Sequence, residues 1–563
     1  MTARDVATSF AQTVVDEWGR SGLTHAVVSP GSRNTPVSLA LVRDGRFTVD
    51  VVLDERSAGF RALGIGLATG RPAIACCTSG TAAANLHPAV LEARHARVPL
   101  LVLTADRPPE LQDCGAGQTV EQARLFGAAV RWFHDPGPPT DGPDVGATWR
   151  AFAARAAAVA LGPPAGPVHC NLPFREPLVP SGAPLVEAPG RAGGVPWTTT
   201  VRAPAIVSGA DVEQLAELVR AHPRGVIVAG WGAGVDREVA SVFARRAGWP
   251  VLADAVSGLR AGACTISTYE ALVRAAAFAD AHRPELVLRV GAPLTSKIAN
   301  GWLADAPTVL IDQDDAWLDP AHGVQQRINA SAGPFVAAVG ARLESTESEW
   351  LRSWTTAEAR ARRALDEVLD DEVACEARIA RDVAAGIPDG GTLMVASSLP
   401  VRALEWAMAP RTGLRVLANR GVNGIDGFVS TALGIAAANA GPTVALCGEL
   451  CFLHDTNGLL SASASAPMTF VVIDNGGGGI FDYLPQHELP EFERLFITPA
   501  GVDLAAVAQA HGVDSTDVET VADVAKLVAE PSVKSRVLVV HVDRAAAVEQ
   551  HRRGWSAVAS ALG

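Results

Sequence analysis

Glu449, Asn475 and the glycines Gly476–Gly479 are the residues whose types and spacing point most directly to chemistry. A carboxylate, an amide oxygen and bare backbone carbonyls are hard oxygen ligands. Mg²⁺ takes such a set when a phosphate completes its octahedron. Glycines also let backbone N–H groups approach a phosphate closely. The same pattern fits a tight turn with a surface carboxylate. Two apolar runs must position these residues. Thr443–Cys447 ends in Gly-Glu, and Met468–Ile473 ends in Asp-Asn and the glycines. Runs this short, rich in β-branched residues and separated by a helical segment, predict buried parallel strands. Ligands of such sheets bind at the carboxyl ends of the strands, where Glu449, Asn475 and the glycine backbone would converge.

The chain has 563 residues, enough for roughly three or four domains. Apolar residues make up 48% and mean hydropathy is +0.19, so a large core can form. A net charge of −13 argues against nonspecific nucleic-acid binding and against an anionic membrane surface. Anionic ligands would therefore need locally placed arginines. The eight cysteines form no CxxC pair and read as reduced, mostly buried thiols of a cytoplasmic protein. The N-terminus lacks a signal-type apolar core, and no apolar run reaches membrane-spanning length.

Residues 1–20 read as an amphipathic helix. Strands are predicted over 24–29, 48–53, 72–78, 99–104 and 166–172. The first ends in Gly31-Ser32-Arg33-Asn34, a strand-to-helix turn in which Ser32 or Asn34 could cap and Arg33 could bind an anion. A capped turn with an exposed arginine fits equally. The second strand ends at Asp54-Glu55, ahead of a helix of small apolar residues. A carboxylate entering such a helix needs a task or a partner, and Arg56 or Arg61 could pair with it. Residues 178–200, rich in Pro and Gly, read as a linker. A second α/β unit follows, with strands over 225–229, 250–254, 285–290 and 308–312. Its Gly230–Gly234 run is a partial dinucleotide fingerprint without a convincing acidic partner. Residues 340–386 interleave acids and arginines and read as a solvated helical connection. The last unit adds strands over 392–396, 415–418 and 536–542.

Several stretches together carry a resemblance. SPGSRNTP, LDERSAGF, TSGTAAANLHPAV, LTADRPPEL and DCGAGQT occur in this order, followed near the other end by Ser-Leu-x-x-Arg (398–402) and NRGVNGIDG (419–427). They resemble the thiamine diphosphate-dependent 2-succinyl-5-enolpyruvyl-6-hydroxy-3-cyclohexene-1-carboxylate synthase family of menaquinone biosynthesis. The stretch from Gly448 to Asn475 resembles that enzyme class's diphosphate motif, Gly-Asp followed after a gap by Asn, with Glu449 in place of the Asp. The likeness covers both ends of the chain and is weak in the middle.

The resemblance implies an α/β fold of three doubly wound parallel-sheet domains. They would be a pyrimidine-binding domain (1–180), a central domain (200–345) and a diphosphate-binding domain (380–563). It implies thiamine diphosphate held through Mg²⁺ or Mn²⁺ by Glu449, Asn475 and the carbonyl of Gly477, with Ser398 and Phe481 also at the cofactor. Glu55 would bond the aminopyrimidine and Ile425 would bend the cofactor; a core-packing Ile425 would look the same in sequence. The implied reaction decarboxylates 2-oxoglutarate and adds the succinyl carbanion equivalent to isochorismate in a 1,4-addition. Ser32, Arg33, Arg107, Gln118, Lys297, Arg402 and Arg420 would hold the substrates, with Arg33, Gln118, Arg402 and Arg420 counted with Glu55 as catalytic. Structural ion pairs are the alternative for each arginine. Gly117 stands where the family commonly has Asn, and Ile298 where it often has a second basic residue. A homodimer or a dimer of dimers is implied, with the two half-sites on different subunits. Other readings are a different thiamine-dependent lyase, such as an acetolactate synthase, and a noncatalytic nucleotide- or thiamine-binding regulator.

Overall fold

Nearly every apolar run becomes a strand with its carboxyl end at a loop that carries polar residues. The computed structural model describes residues 4–201, 207–314, 316–345 and 348–563. Among them the strands form three six-stranded sheets, parallel throughout. The first holds β1 (His25–Val28), β2 (Thr48–Val51), β3 (Ala73–Cys77), β4 (Leu100–Asp106), β5 (Trp132–His134) and β6 (Pro167–Pro173), in the order β2-β1-β3-β4-β6-β5. The second holds β7 (Gly225–Ala229), β8 (Val251–Ala253), β9 (Thr265–Ile266), β10 (Leu286–Val290), β11 (Thr308–Ile311) and β12 (Val324–Ile328), ordered β12-β11-β10-β7-β8-β9. The third holds β13 (Gly391–Val395), β14 (Leu414–Leu417), β15 (Thr443–Gly448), β16 (Thr469–Asp474), β17 (Asp514–Asp517) and β18 (Arg536–His541), ordered β14-β13-β15-β16-β18-β17.

Strands β5, β9, β12 and β17 escape the sequence reading, and all four lie at sheet edges. An edge strand that partly faces water, as β5, β12 and β17 do, needs no continuous apolar run, while β9 is buried but only two residues long. β17 is Asp-Ser-Thr-Asp, and β12 carries Gln325-Gln326-Arg327. The predicted N-terminal helix runs Val6–Arg20, and residues 1–3 lie outside the described residues. The 178–200 run forms only a short 3₁₀ turn, but it lies against the first unit: Ser181 N–H donates to Asp5 (2.8 Å) and Trp197 N–H to Glu17. No helix among the described residues is long and apolar enough to cross a membrane.

The connection over 340–386 is not a solvated one. The Glu349–Leu369 helix buries Trp354, Ala357, Ala361, Leu365 and Leu369. That stripe joins Val226 and Leu272 of the second unit to Leu393 and Val558 of the third in one core. Charges on the other face hid an apolar repeat of three and four residues. The Gly230–Gly234 run packs backbone on backbone: a Cβ at Gly230 would lie 1.8 Å from the Ala292 carbonyl.

First and third units meet through two helices, Glu55–Thr69 and Phe428–Ala438. Small residues let their backbones touch. A Cβ on Gly64 would lie 2.1 Å from the Thr431 carbonyl, and one on Gly434 would lie 2.1 Å from that of Arg61.

Candidate active site

β15 ends at Gly448, and Glu449 opens the short Glu449–His454 helix. The neighbouring β16 ends at Asp474 and runs into Asn475 and the glycines. A cavity of about 250 Å³ lies over these carboxyl ends, beside the point where the strand order reverses. Ser398, Ile425, Glu449, Asn475, Gly477 and Phe481 all line it. Gly477 has φ 143°, and a Cβ there would meet the Ile497 carbonyl at 2.2 Å, so this position requires glycine.

Glu449 is buried, and its carboxylate accepts the Gly477 N–H. Burial pushes the Glu449 carboxyl up to about 7, and the charge of Asp474 adds to the shift. Asn475 Nδ2 donates to Glu376 Oε1 at 2.7 Å, while its buried Oδ1 has no partner among the described residues. A buried amide oxygen without a donor is costly. A divalent cation would satisfy this oxygen and favour the charged form of Glu449, and the glycine backbone can cradle a phosphate. Among the described residues no cluster of three or more His, Cys, Asp or Glu side chains could hold a metal. A cation here would therefore combine the single Glu449 carboxylate with amide, backbone and phosphate oxygens.

The arginines form two groups. Arg402 donates to the Ser398 carbonyl (2.7 Å), and Arg420 to Thr295 Oγ1 (3.3 Å), two residues before exposed Lys297. Burial, and then the charge of Arg420, lowers the Arg402 pKa, while Glu270 opposes them, so the two guanidiniums lie close enough to repel. The other group surrounds the turn after β3. Arg107 donates to Ser79 Oγ (3.1 Å), Gln118 Nε2 to the Ser79 carbonyl (3.2 Å), and Gly31 packs on Thr78. Arg33 is buried, not exposed on a capped turn: it donates to the Phe174 carbonyl (2.9 Å) and pairs with Glu176 (3.4 Å). Exposed Ser32 precedes it. Asn34 occupies the cap position, but its amide bonds back to the Ser29 carbonyl rather than capping the helix.

Glu55 opens its helix half-buried, and neither arginine proposed as its partner takes it. Arg61 pairs with Asp50 (2.8 Å), while Arg56 reaches the His454 carbonyl and Asp455. Glu55 does not line the cavity of its own chain. The eight cysteines are free thiols, and seven of them are buried.

Three family profiles match the chain. They are the thiamine pyrophosphate enzyme N-terminal TPP binding domain (residues 8–126), the middle domain of thiamine pyrophosphate (193–395) and the thiamine pyrophosphate enzyme C-terminal TPP binding domain (405–542). A 2-succinyl-5-enolpyruvyl-6-hydroxy-3-cyclohexene-1-carboxylate synthase of Thermobifida fusca (strain YX) is 44% identical, with 99% of each chain covered. One of Myxococcus xanthus (strain DK1622) is 42% identical, with 98% of each covered. This chain belongs to that synthase family. In fold it is similar to the Rhodococcus jostii RHA1 thiamine diphosphate-dependent 4-hydroxybenzoylformate decarboxylase, with TM-score 0.74, 19% identity, and 95% and 99% of the two chains covered.

Two side chains at the site of this synthase family member escaped the sequence reading. Glu376 lines the cavity from the connection that read as solvated. Glu92, on the first unit, accepts the N–H groups of Gly421 and Val422 at 2.7 Å each and so fixes the loop that carries Arg420. Burial raises the Glu92 pKa. Glu92 is the lone acid of its helix, while Glu376 shares its helix with Asp382, so neither carried a distinctive signal.

Proposed function

We propose that the chain releases CO₂ from 2-oxoglutarate and adds the remaining succinyl unit to isochorismate in a 1,4-addition, giving 2-succinyl-5-enolpyruvyl-6-hydroxy-3-cyclohexene-1-carboxylate in the cytoplasm. The observation that carries this reading is the cavity over β15 and β16, where partnerless Asn475 Oδ1 and buried Glu449 flank a glycine cradle. Thiamine diphosphate, when bound, supplies the electron sink for decarboxylation and carbon–carbon bond formation. Glu449, Asn475 and the Gly477 carbonyl hold its Mg²⁺ or Mn²⁺. Ser398, Ile425 and Phe481 line the cavity and would pack against the cofactor, with Ile425 as the apolar side chain beneath it.

Glu55 holds a proton at the aminopyrimidine ring of a cofactor seated on a second subunit. Its place outside the cavity of its own chain supports this reading. The active form is then a homodimer, or a dimer of dimers, whose two-fold axis makes two equivalent sites. Arg402 and Arg420, with Lys297 nearby, clamp one set of substrate carboxylates. Ser32, Arg33, Arg107 and Gln118 come from the facing subunit and take the other.

The test measures CO₂ release from 2-oxoglutarate with and without isochorismate, and from pyruvate alone. Release from 2-oxoglutarate, with adduct formed only when isochorismate is present, is expected. Turnover of pyruvate instead would move the chain to another class of thiamine-dependent lyase.

A further inference from the structure

We infer that Glu376 is the positioning residue that aims the Asn475 amide oxygen at the metal. The inference rests on the cofactor reading above, and it concerns a side chain from outside the two motif strands. Cys375-Glu376 begins the Glu376–Gly386 helix, and that helix brings a carboxylate to the floor of the cavity with 4% of the residue exposed.

An asparagine side chain has two faces of similar shape, an N–H₂ that donates and a C=O that accepts. Only the second can ligate a cation. Nothing in the shape of Asn475 chooses between the two orientations, so a neighbour must choose. Glu376 Oε1 takes the Nδ2 hydrogen at 2.7 Å. A carboxylate oxygen is the partner that suits an N–H₂ and repels a C=O. With the nitrogen held, Oδ1 is the free end of an amide that lines the cavity, buried and without a donor among the described residues. Gly479 leaves room for the amide, because a Cβ there would lie 2.4 Å from Asn475 Nδ2 and force it out of place. The pair thus spends one hydrogen bond to keep an acceptor oriented toward a ligand. Outer partners of this kind change metal affinity by about 10–100-fold when removed.

Glu376→Ala and the isosteric Glu376→Gln test this. Gln offers either end of its own amide to Asn475, so it keeps the packing and loses the orientational choice. Mn²⁺ is titrated into each protein at saturating thiamine diphosphate and followed by thermal shift. KM for 2-oxoglutarate is measured separately at saturating Mn²⁺. The expected result is an apparent Mn²⁺ Kd raised about 10–100-fold in Glu376→Ala and about tenfold in Glu376→Gln. KM for 2-oxoglutarate stays within about twofold, and the metal-free melting temperature of Glu376→Gln stays near the parent's. If Glu376→Ala does not fold, Glu376→Gln carries the test alone. A Mn²⁺ Kd unchanged in folded variants, beside a parent that responds to the metal, overturns the inference and leaves the cofactor reading standing. A parent indifferent to Mn²⁺ with thiamine diphosphate overturns both.

Discussion

Glu449 is one methylene longer than the Asp of the motif it resembles, and the structure uses that length to reach the Gly477 N–H. With its carboxyl pushed up to about 7, a neutral side chain should suit the metal-free protein nearly as well. Glu449→Gln is therefore expected to cost less than about 1 kcal/mol in metal-free stability at pH 7, while metal affinity falls roughly tenfold or more. Chemical denaturation and a Mn²⁺ titration check the two halves. Arg402 and Arg420 repel each other, and an anion bound between them would relieve that repulsion. Arg→Lys at either position replaces a planar fork by a point charge and should lower kcat/KM about 10–100-fold with cofactor affinity unchanged. Normal kinetics in both Lys variants would remove them from the clamp. Glu449, Asn475 and Gly477 were legible because a strand end next to glycines constrains what can follow. Glu376 and Glu92 were not, because their partners lie 99 and 329 residues away along the chain.

The crossing of the Glu55–Thr69 and Phe428–Ala438 helices sets where Glu55 sits relative to the third sheet. Ala at position 434 would gain about 1 kcal/mol of helix propensity. Its Cβ would also lie 2.1 Å from a backbone carbonyl, which cannot move aside as a side chain could. Overpacking should win, and Gly434→Ala is expected to lose about 1–3 kcal/mol or more, read as a lower melting temperature. A raised melting temperature would mean that the crossing is looser than described. Asp455 is buried at the same junction, accepting from Ser430 N–H (2.7 Å) and lying 3.9 Å from Arg56. Burial raises its carboxyl to about 6 from an ordinary value of 3.8. A raised carboxyl favours the fold below its unfolded pKa, and that stability is lost as pH rises through the folded pKa. Relative to the parent, Asp455→Asn should therefore gain about 2 kcal/mol between pH 4 and pH 6.5. Denaturation curves at both pH values would show this, and a difference that does not change with pH would contradict the assignment. At this scale the central strands were legible as apolar runs. The edges β5, β12 and β17 were not, because half-wet strands carry no such run, and β9, though buried, is only two residues long.

At the scale of the molecule, Glu55 on the first unit and Glu449 on the third belong to one chain but not to one cavity. Glu55→Ala and Glu449→Ala variants should each be nearly inactive. A heterodimer of the two would hold one doubly damaged site and one intact site, so co-expressed mixtures should recover a sizeable fraction of parent activity. Verified heterodimers as dead as the separate variants would sink the shared-site arrangement. The strand runs of each unit were readable in the sequence and the three-sheet layout came from the family resemblance, while the packing between units was not readable, since charged residues masked the buried stripe of the Glu349–Leu369 helix. That stripe has a consequence for how the chain can be divided. Because Trp354 and Leu365 share one core with Val226 on one side and Leu393 on the other, the second and third sheets should melt as a single calorimetric transition. A fragment cut before residue 349 would leave Val226, Leu272 and Trp302 facing water and would aggregate rather than stand as a separate module.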